Sequence, residues 1–389
     1  MGIVVEFKNP LRNLDKKIKI YKRKILLRHI VSFITIIAAC TGTFFLMEVQ
    51  TYNDMRLVKQ IADSSEINGS VKEYANGILK YSRDGASYLD KQGKEKWNHS
   101  YQLKNPVVEI NKEAIAIASK EGNDIFVFDK KGIRGEIRTG YPIEKMTISE
   151  NGIVATLLRN ESSPKIVCYD AKGNVLVEHQ STLNGTGYPI AMALSPDGTM
   201  LAVSYFCIED GVEATRLSFY NFAKDKSTDL LAEETIYKNS VIPTIFFADE
   251  DTAIAIGDKA FMIYKTGSKP KVKKTIEFEK EINGVFHNEK YVGFLLKNSG
   301  EAGQELRLYN MSGSQKLSKM FKGEYKSVKM SGTDVIMVDG KNCCIISRGG
   351  IIRVEGEMKN TLYEVIPLTG FNKYLVANEN GLEEIRLVK

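Results

Sequence analysis

Residues 88–93 read Tyr88-Leu89-Asp90-Lys91-Gln92-Gly93, an apolar strand end followed by a polar residue and then a glycine. An Asp or Asn side chain accepts hydrogen bonds from backbone N–H groups a few positions on. Glycine adopts the left-handed conformation that closes such a turn. The pattern therefore predicts a hairpin turn between the third and the outer fourth strand of a repeat. A calcium loop would need several oxygen ligands at close spacing, and here a lysine lies inside the loop. Comparable segments are Val127-Phe128-Asp129-Lys130-Lys131-Gly132, Cys168-Tyr169-Asp170-Ala171-Lys172-Gly173 and Leu308-Tyr309-Asn310-Met311-Ser312-Gly313.

The turn recurs at a regular spacing along most of the chain. With weaker copies included, the turn residue falls at positions 90, 129, 170, 221, 265, 310 and 347, at intervals between 37 and 51 residues. A period near 40 to 45 with about four short strands per repeat is typical of a β-propeller. The pattern predicts an all-β propeller of seven or eight four-stranded blades. Eight is favoured, because an N-terminal strand can complete the three-stranded unit at 362–388.

A second decisive feature is the uncharged apolar run Ile30–Met47, IVSFITIIAACTGTFFLM. As a helix it would be about 27 Å long, enough for a bilayer core of roughly 30 Å. Residues 1–29 contain nine basic side chains and two acidic ones, a charge of +7, so the remainder of this +6 chain is near neutral. Basic residues beside a span stay in the cytoplasm. The sequence predicts one N-terminal transmembrane helix and an extracytoplasmic C-terminal part.

Two other interpretations of this run remain open. A cleaved signal peptide has a shorter apolar region and a small-residue cleavage site, which are not found here. Ile37-Ala38-Ala39-Cys40 resembles a lipobox, in which Cys40 would be lipidated and become the N-terminus. Against this, the apolar run continues for seven residues beyond Cys40. An uncleaved anchor is the favoured prediction.

These features predict a domain layout and its partners. We expect a basic cytoplasmic tail at 1–29, a transmembrane helix at 30–47, a stalk at 48–70 that is partly helical near 55–62, and the propeller at 71–389. The bilayer is the expected partner of residues 30–47. Nucleic acid is not expected as a partner, because the basic charge is concentrated at the membrane edge.

Motifs that would carry chemistry are missing from the sequence. The four histidines are isolated and no C-x-x-C occurs, so neither a metal site nor a disulfide framework is predicted. No P-loop, G-x-G-x-x-G or G-x-S-x-G is present. We therefore predict no cofactor and no catalytic residue. Tyr88–Trp97 resembles the repeat of quinoprotein-like propellers, in which a Trp at this point packs between neighbouring blades. The resemblance implies this packing role for Trp97, with stacking on a ligand as the alternative.

The most acidic short loop contains Glu209, Asp210 and Glu213, within Ile208–Thr215. Propellers commonly bind their partners through loops at one face of the ring. These three acids are therefore a candidate partner-contact site. A simple solvated loop is the alternative.

Several segments resemble known propeller families. Tyr88–Trp97 resembles the repeat of quinoprotein-like propellers, and Ser195-Pro196-Asp197-Gly198 resembles a turn of WD40-like ones. With Asn105-Pro106-Val107-Val108, Tyr141-Pro142-Ile143-Glu144, Gly187-Tyr188-Pro189 and Phe219-Tyr220-Asn221-Phe222, the chain over about 70–389 resembles an uncharacterised family of membrane-anchored propellers from Gram-positive bacteria, a domain of unknown function. The resemblance implies fold and topology and implies no activity.

Three classes of function are compatible with this sequence. The favoured one is a non-enzymatic binding or scaffolding module at the cell envelope, whose ligand is an unidentified protein or envelope component. The alternatives are a propeller enzyme, such as a lyase, glycosidase or quinoprotein-like enzyme, and an accessory subunit of a membrane complex. An enzyme would bring acids or histidines together at the ring axis, which only a structure can show.

Overall fold

The computed structural model describes residues 10–63, 69–160, 163–182, 185–222, 231–298, 303–323, 325–370 and 372–389. The chain forms two compact units, Met1–Thr51 and Tyr52–Lys389. Residues 1–9 of the predicted tail and 64–68 of the predicted stalk lie outside the described residues.

The first unit is one helix, α1, Pro10–Glu48. Its part Lys16–Thr43 contains an 18-residue stretch that is apolar enough to cross a membrane. The hydroxyls of Thr35, Thr41 and Thr43 donate to backbone carbonyls three and four residues earlier, at 2.8 to 3.1 Å. Because these polar groups are satisfied inside the helix, they add little cost to an apolar environment.

The second unit consists of eight four-stranded antiparallel sheets, so the prediction of an eight-bladed propeller is confirmed. The strand β1 (Asp54–Asp63) belongs to blade 8. Blade 1 consists of β2 (Ser70–Tyr74), β3 (Gly77–Tyr81), β4 (Gly85–Asp90) and β5 (Glu95–Ser100), and blade 2 of β6 (Pro106–Asn111), β7 (Ala114–Ser119), β8 (Asp124–Asp129) and β9 (Gly132–Arg138). Blade 3 consists of β10 (Ile143–Ile148), β11 (Val154–Leu158), β12 (Lys165–Tyr169) and β13 (Val175–Gln180). Blade 4 consists of β14 (Tyr188–Leu194), β15 (Met200–Glu209), β16 (Val212–Asn221) and β17 (Leu231–Lys238).

The second half of the ring repeats this arrangement. Blade 5 consists of β18 (Thr244–Asp249), β19 (Thr252–Ile256), β20 (Ala260–Lys265) and β21 (Lys271–Glu277), and blade 6 of β22 (Ile282–His287), β23 (Tyr291–Lys297), β24 (Gln304–Asn310) and β25 (Gln315–Phe321). Blade 7 consists of β26 (Ser327–Ser331), β27 (Asp334–Asp339), β28 (Asn342–Ser347) and β29 (Ile352–Glu357). Blade 8 consists of β30 (Leu362–Pro367), β31 (Lys373–Asn378), β32 (Gly381–Val388) and β1.

The predicted turns join the third and fourth strands of their blades. Asp170 Oδ1 accepts hydrogen bonds from the backbone N–H groups of Lys172 and Asn174, both at 2.9 Å. Gly173 closes the turn at φ +88°. Asp90 and Gly93 repeat this geometry, so the hairpin interpretation is confirmed.

The core is divided into layers between the blades. The buried apolar side chains of the described residues form eight clusters, and each cluster joins two neighbouring blades. Cys343 packs towards blade 8 and Cys344 towards blade 6, because adjacent strand residues point to opposite sheet faces. Trp97 of blade 1 stacks on Phe128 of blade 2 with ring centroids 5.0 Å apart, the packing role that the resemblance implies.

The N-terminal strand closes the ring, and this corrects the predicted stalk. β1 pairs with β32 as the outermost strand of blade 8, so residues 54–63 are neither stalk nor helix and the propeller begins before residue 71. Lys91 of blade 1 donates to the Pro367 carbonyl of blade 8 at 2.9 Å. Blade 8 therefore combines strands from both ends of the propeller, and backbone hydrogen bonds between β1 and β32 close the ring.

Candidate functional site

The first strands of the blades surround the propeller axis, where β6, β10, β14, β18 and β22 line a cavity of about 370 Å³. Side chains of these strands also reach the next blade. Asn111 donates to the Ile148 carbonyl at 3.0 Å, and Lys72 of β2 donates to the Val108 carbonyl at 3.2 Å. The axis is therefore the place where neighbouring blades are tied together and where a solute could enter.

Charged side chains occupy one arc of the axis. Lys329 of blade 7 lies 2.9 Å from the Glu73 carboxylate of blade 1 and also binds Glu364 of blade 8. Ser331 Oγ donates to Glu73 at 2.8 Å. The pKa of Glu364 is raised by burial, which outweighs the opposing effect of Lys329. This ion cluster joins three blades, including both sides of the ring junction.

Glu109 and Lys145 bring opposite charges to the wall of the cavity. Desolvation by the surrounding protein raises the pKa of Glu109, and nearby Lys72 only partly opposes this effect. The residue nevertheless remains exposed to solvent. Lys145 Nζ donates to the Ile190 carbonyl of blade 4. The two charges lie on the neighbouring strands β6 and β10.

The part of the cavity formed by blades 4 and 5 carries apolar and aromatic side chains, with Ile190, Met192 and Phe247 among the lining residues. The ring of His287 stacks on Phe246 with centroids 3.7 Å apart and planes 2° apart. Surrounding protein lowers the pKa of His287 to about 4, so the imidazole is neutral at pH 7. The cavity therefore combines one acid, one ammonium and one neutral imidazole with an apolar wall.

This arrangement is suited to binding a polar solute. Within the described ranges, no three His, Cys, Asp or Glu side chains are grouped so that they could hold a metal ion. Burial raises the pKa of the thiols of Cys168 and Cys343 to about 12, which keeps them protonated and weakly nucleophilic at pH 7.

The predicted acidic loop is the end of a long hairpin formed by β15 and β16. Asp210 and Gly211 make its two-residue turn, both at positive φ, as in a type I′ hairpin. Glu209 pairs with Arg216 at 3.3 Å, and Asp210 pairs with Lys238 at 2.6 Å. The Glu213 backbone carbonyl accepts the N–H of Asn239. The three acids lie together outside the axial cavity, and a role in contacting a partner stays a prediction.

Sequence reasoning did not identify the axial residues. A signal exists in hindsight: Val71-Lys72-Glu73-Tyr74, Val108-Glu109-Ile110 and Glu144-Lys145-Met146 place charges between apolar neighbours in first strands. A charge inside an otherwise buried strand is costly unless it faces a polar space. The sequence does not show which of these charged side chains contact one another, because their partners lie on blades that are distant in sequence.

Comparison with known proteins gives the family. No curated protein matches the chain. Among solved structures, BamB from Moraxella catarrhalis is similar with 13% identity and a TM-score of 0.49, over 87% of this chain and 99% of that one. The Pan2 WD40 domain of Neurospora crassa is similar with 10% identity and a TM-score of 0.44, over 73% of this chain and 90% of that one. The model of a family of unknown function, DUF5711, matches residues 48–387, and the chain belongs to this family.

Proposed function

We propose that the chain is a single-pass membrane protein whose propeller acts outside the cytoplasm as a non-enzymatic binding or scaffolding module at the cell envelope. The observation that carries the proposal is the charge asymmetry around Ile30–Met47. A segment with charge +7 precedes this uncharged run, and a near-neutral domain follows it. Positive charge on one side of a span keeps that side in the cytoplasm.

The exposure of α1 supports a membrane role for the helix. Its described apolar side chains are largely uncovered by protein, including Phe33 at 66%, Ile34 at 57% and Phe45 at 63% exposure. A continuous apolar surface of this kind is unfavourable in water and favourable in lipid. A buried core helix would show the opposite pattern.

The propeller supports a binding role. Its axial charges tie blades together: Lys329 binds carboxylates of two other blades, and Lys145 binds a carbonyl of the next blade. Blades 2 to 6 line the axial cavity. A rigid ring with a lined cavity is suited to holding a ligand in a fixed geometry.

Cysteine labelling on intact cells tests the topology. Asp210→Cys places a thiol on an exposed turn of the propeller, and Lys16→Cys places one in the basic tail. A membrane-impermeant maleimide should label Asp210→Cys in intact cells and Lys16→Cys only after permeabilisation. The unsubstituted protein measures background labelling at Cys40. Labelling of Lys16→Cys in intact cells, or release of the protein into the soluble fraction, would refute the proposed topology.

The mass of the purified protein distinguishes the two kinds of anchor. An uncleaved helix predicts the full-length mass, and Cys40→Ser should leave membrane retention unchanged. A lipidated Cys40 would instead give a chain that begins at residue 40 with added acyl mass, and Cys40→Ser would block this processing.

A further inference from the structure

We propose that the axial cavity binds a small zwitterionic solute, an amino acid or a short peptide. Its ammonium would lie against Glu109, its carboxylate against Lys145, and its apolar part against the wall formed by blades 4 and 5. This inference rests on the proposed binding role and adds the class of ligand. It is independent of the side of the membrane on which the propeller lies.

The size of the cavity fits such a ligand. Its volume of about 370 Å³ lies at the lower end of the range of about 300–1,000 Å³ that small-molecule sites occupy. It is lined by strands of five blades, so its walls are held by the ring itself.

The charge of the lining selects for a molecule that carries both signs. Glu109 and Lys145 are the acid and the ammonium of the lining, and His287 is neutral at pH 7 because its pKa is lowered to about 4. The formal charge of the lining is therefore zero, and the carboxylate and the ammonium lie on neighbouring first strands, β6 and β10. A ligand with a single charge would leave either Glu109 or Lys145 without a counter-charge in the complex, and this weakens binding.

Both charged groups have hydrogen-bonding capacity to spare. Among the described residues, the Glu109 carboxylate accepts no hydrogen bond, although it lies near Lys72. Desolvation keeps the pKa of Glu109 above its ordinary value, and a bound ammonium would lower this pKa. Lys145 donates to one carbonyl, that of Ile190, and an ammonium has three protons to donate. Two protons of the Lys145 ammonium are therefore available for a ligand carboxylate.

The apolar wall provides the remaining contact surface. Ile190, Met192 and Phe247 are among the lining residues, and Met192 and Phe247 also pack against the core clusters of blades 3 and 4 and of blades 4 and 5. An aliphatic side chain of the ligand would replace water against this wall, and burial of apolar area favours binding. We therefore expect leucine-like peptides to bind more tightly than glycine-like ones.

Isothermal titration of the full-length protein in detergent micelles tests the inference. The probes are Leu-Leu, Gly-Gly, the N-acetylated and C-amidated form of Leu-Leu, and maltose. We expect Leu-Leu to bind most tightly and the blocked form to bind at least tenfold more weakly, because it lacks both charges. Equal binding of the blocked form, tighter binding of maltose, or no binding of any probe would overturn the proposal.

Variants place the ligand in the cavity. Glu109→Gln and Lys145→Met should each weaken Leu-Leu binding at least tenfold. The matched controls Glu113→Gln and Lys130→Met alter an exposed ion pair of blade 2 and should leave binding unchanged. Unchanged thermal unfolding of Glu109→Gln would show that its effect is not a folding defect. If Leu-Leu fails to bind while the labelling pattern holds, this inference fails and the proposed topology stands.

Discussion

Four hydrogen bonds converge on the carboxylate of Glu305 in blade 6. Arg307 donates twice, at 2.5 and 3.0 Å, Lys280 at 2.7 Å and Ser318 at 2.8 Å. These partners, Arg307 foremost, lower its pKa to about 2. Because the folded pKa lies below the unfolded value, the stabilisation is complete above about pH 4.5 and is lost as the pH falls towards 2. Glu305→Gln should lower the free energy of unfolding by on the order of 2 kcal/mol at pH 7, and the difference should vanish near pH 2.

The matched control for Glu305 is Glu281, whose side chain is 70% exposed and pairs with Lys297 at 3.5 Å. Exposed ion pairs contribute about 0–1 kcal/mol. Glu281→Gln should therefore change the free energy of unfolding, measured by urea denaturation, very little at pH 7 or at pH 2. A loss at Glu305 that is independent of pH would contradict the role given to its ionised form.

Gly313 tests how closely a turn packs against the next blade. It has φ +74°, and an added Cβ would lie 2.8 Å from Ile263 and 2.9 Å from Ile276 in blade 5. Gly340 has φ +59° with open space around its missing Cβ. Both alanine variants incur backbone strain of about 1 kcal/mol. Only Gly313→Ala must also displace the ends of the Ile263 and Ile276 side chains, which adds about 1 kcal/mol because these ends can move. Equal shifts in thermal midpoint for the two variants would show that blade contact at this turn is loose.

At the scale of strands, β1 is the element that completes the ring. A chain of residues 52–389 retains it. A chain of residues 64–389 lacks it, and β32, which is rich in buried apolar residues, replaces the mostly exposed β1 as the edge strand of a three-stranded blade. Exposed edges pair with other chains. We expect the shorter chain to elute as aggregates in gel filtration and to unfold at a lower temperature. A monomeric shorter chain of equal thermal stability would show that blade 8 does not depend on β1.

β1 also shows why part of the fold escapes sequence reasoning. Its residues, DMRLVKQIAD, are mostly exposed because only one sheet face of an outermost strand is covered, and Ala62 alone is buried among those described. Its partner β32 lies more than 300 residues away, so no local pattern reports the pairing. The turns at Asp90 and Asp170 are readable because their hydrogen bonds lie within four residues. The axial residues escape for the same reason as β1: Glu73 and Lys329 meet only when the ring is closed.

On the scale of the whole molecule, Lys329 joins blades 7, 8 and 1 through Glu364 and Glu73. Lys329→Met would leave two carboxylates close together and partly buried. Removing one partner of a buried ion pair costs about 3–5 kcal/mol, and we expect about half of this here because the cluster is partly exposed. The loss should be measured as a lower free energy of unfolding at pH 7.5.

The sign of the pH dependence identifies the cause of this loss. The pKa of Glu364 is raised by burial even with Lys329 present, and without the lysine it should rise further. An acid whose folded pKa is above its unfolded value destabilises the fold as the pH rises past the unfolded value. The loss of stability caused by Lys329→Met should therefore be larger at pH 7.5 than at pH 5. Adding Glu364→Gln should restore part of the lost stability, because this second substitution removes the carboxylate that was left without a partner. The loss of stability could instead be equal at both pH values and unaffected by Glu364→Gln. That result would mean that Lys329 stabilises the ring through packing of its alkyl chain, and that closure of the eight blades does not depend on charge at the axis.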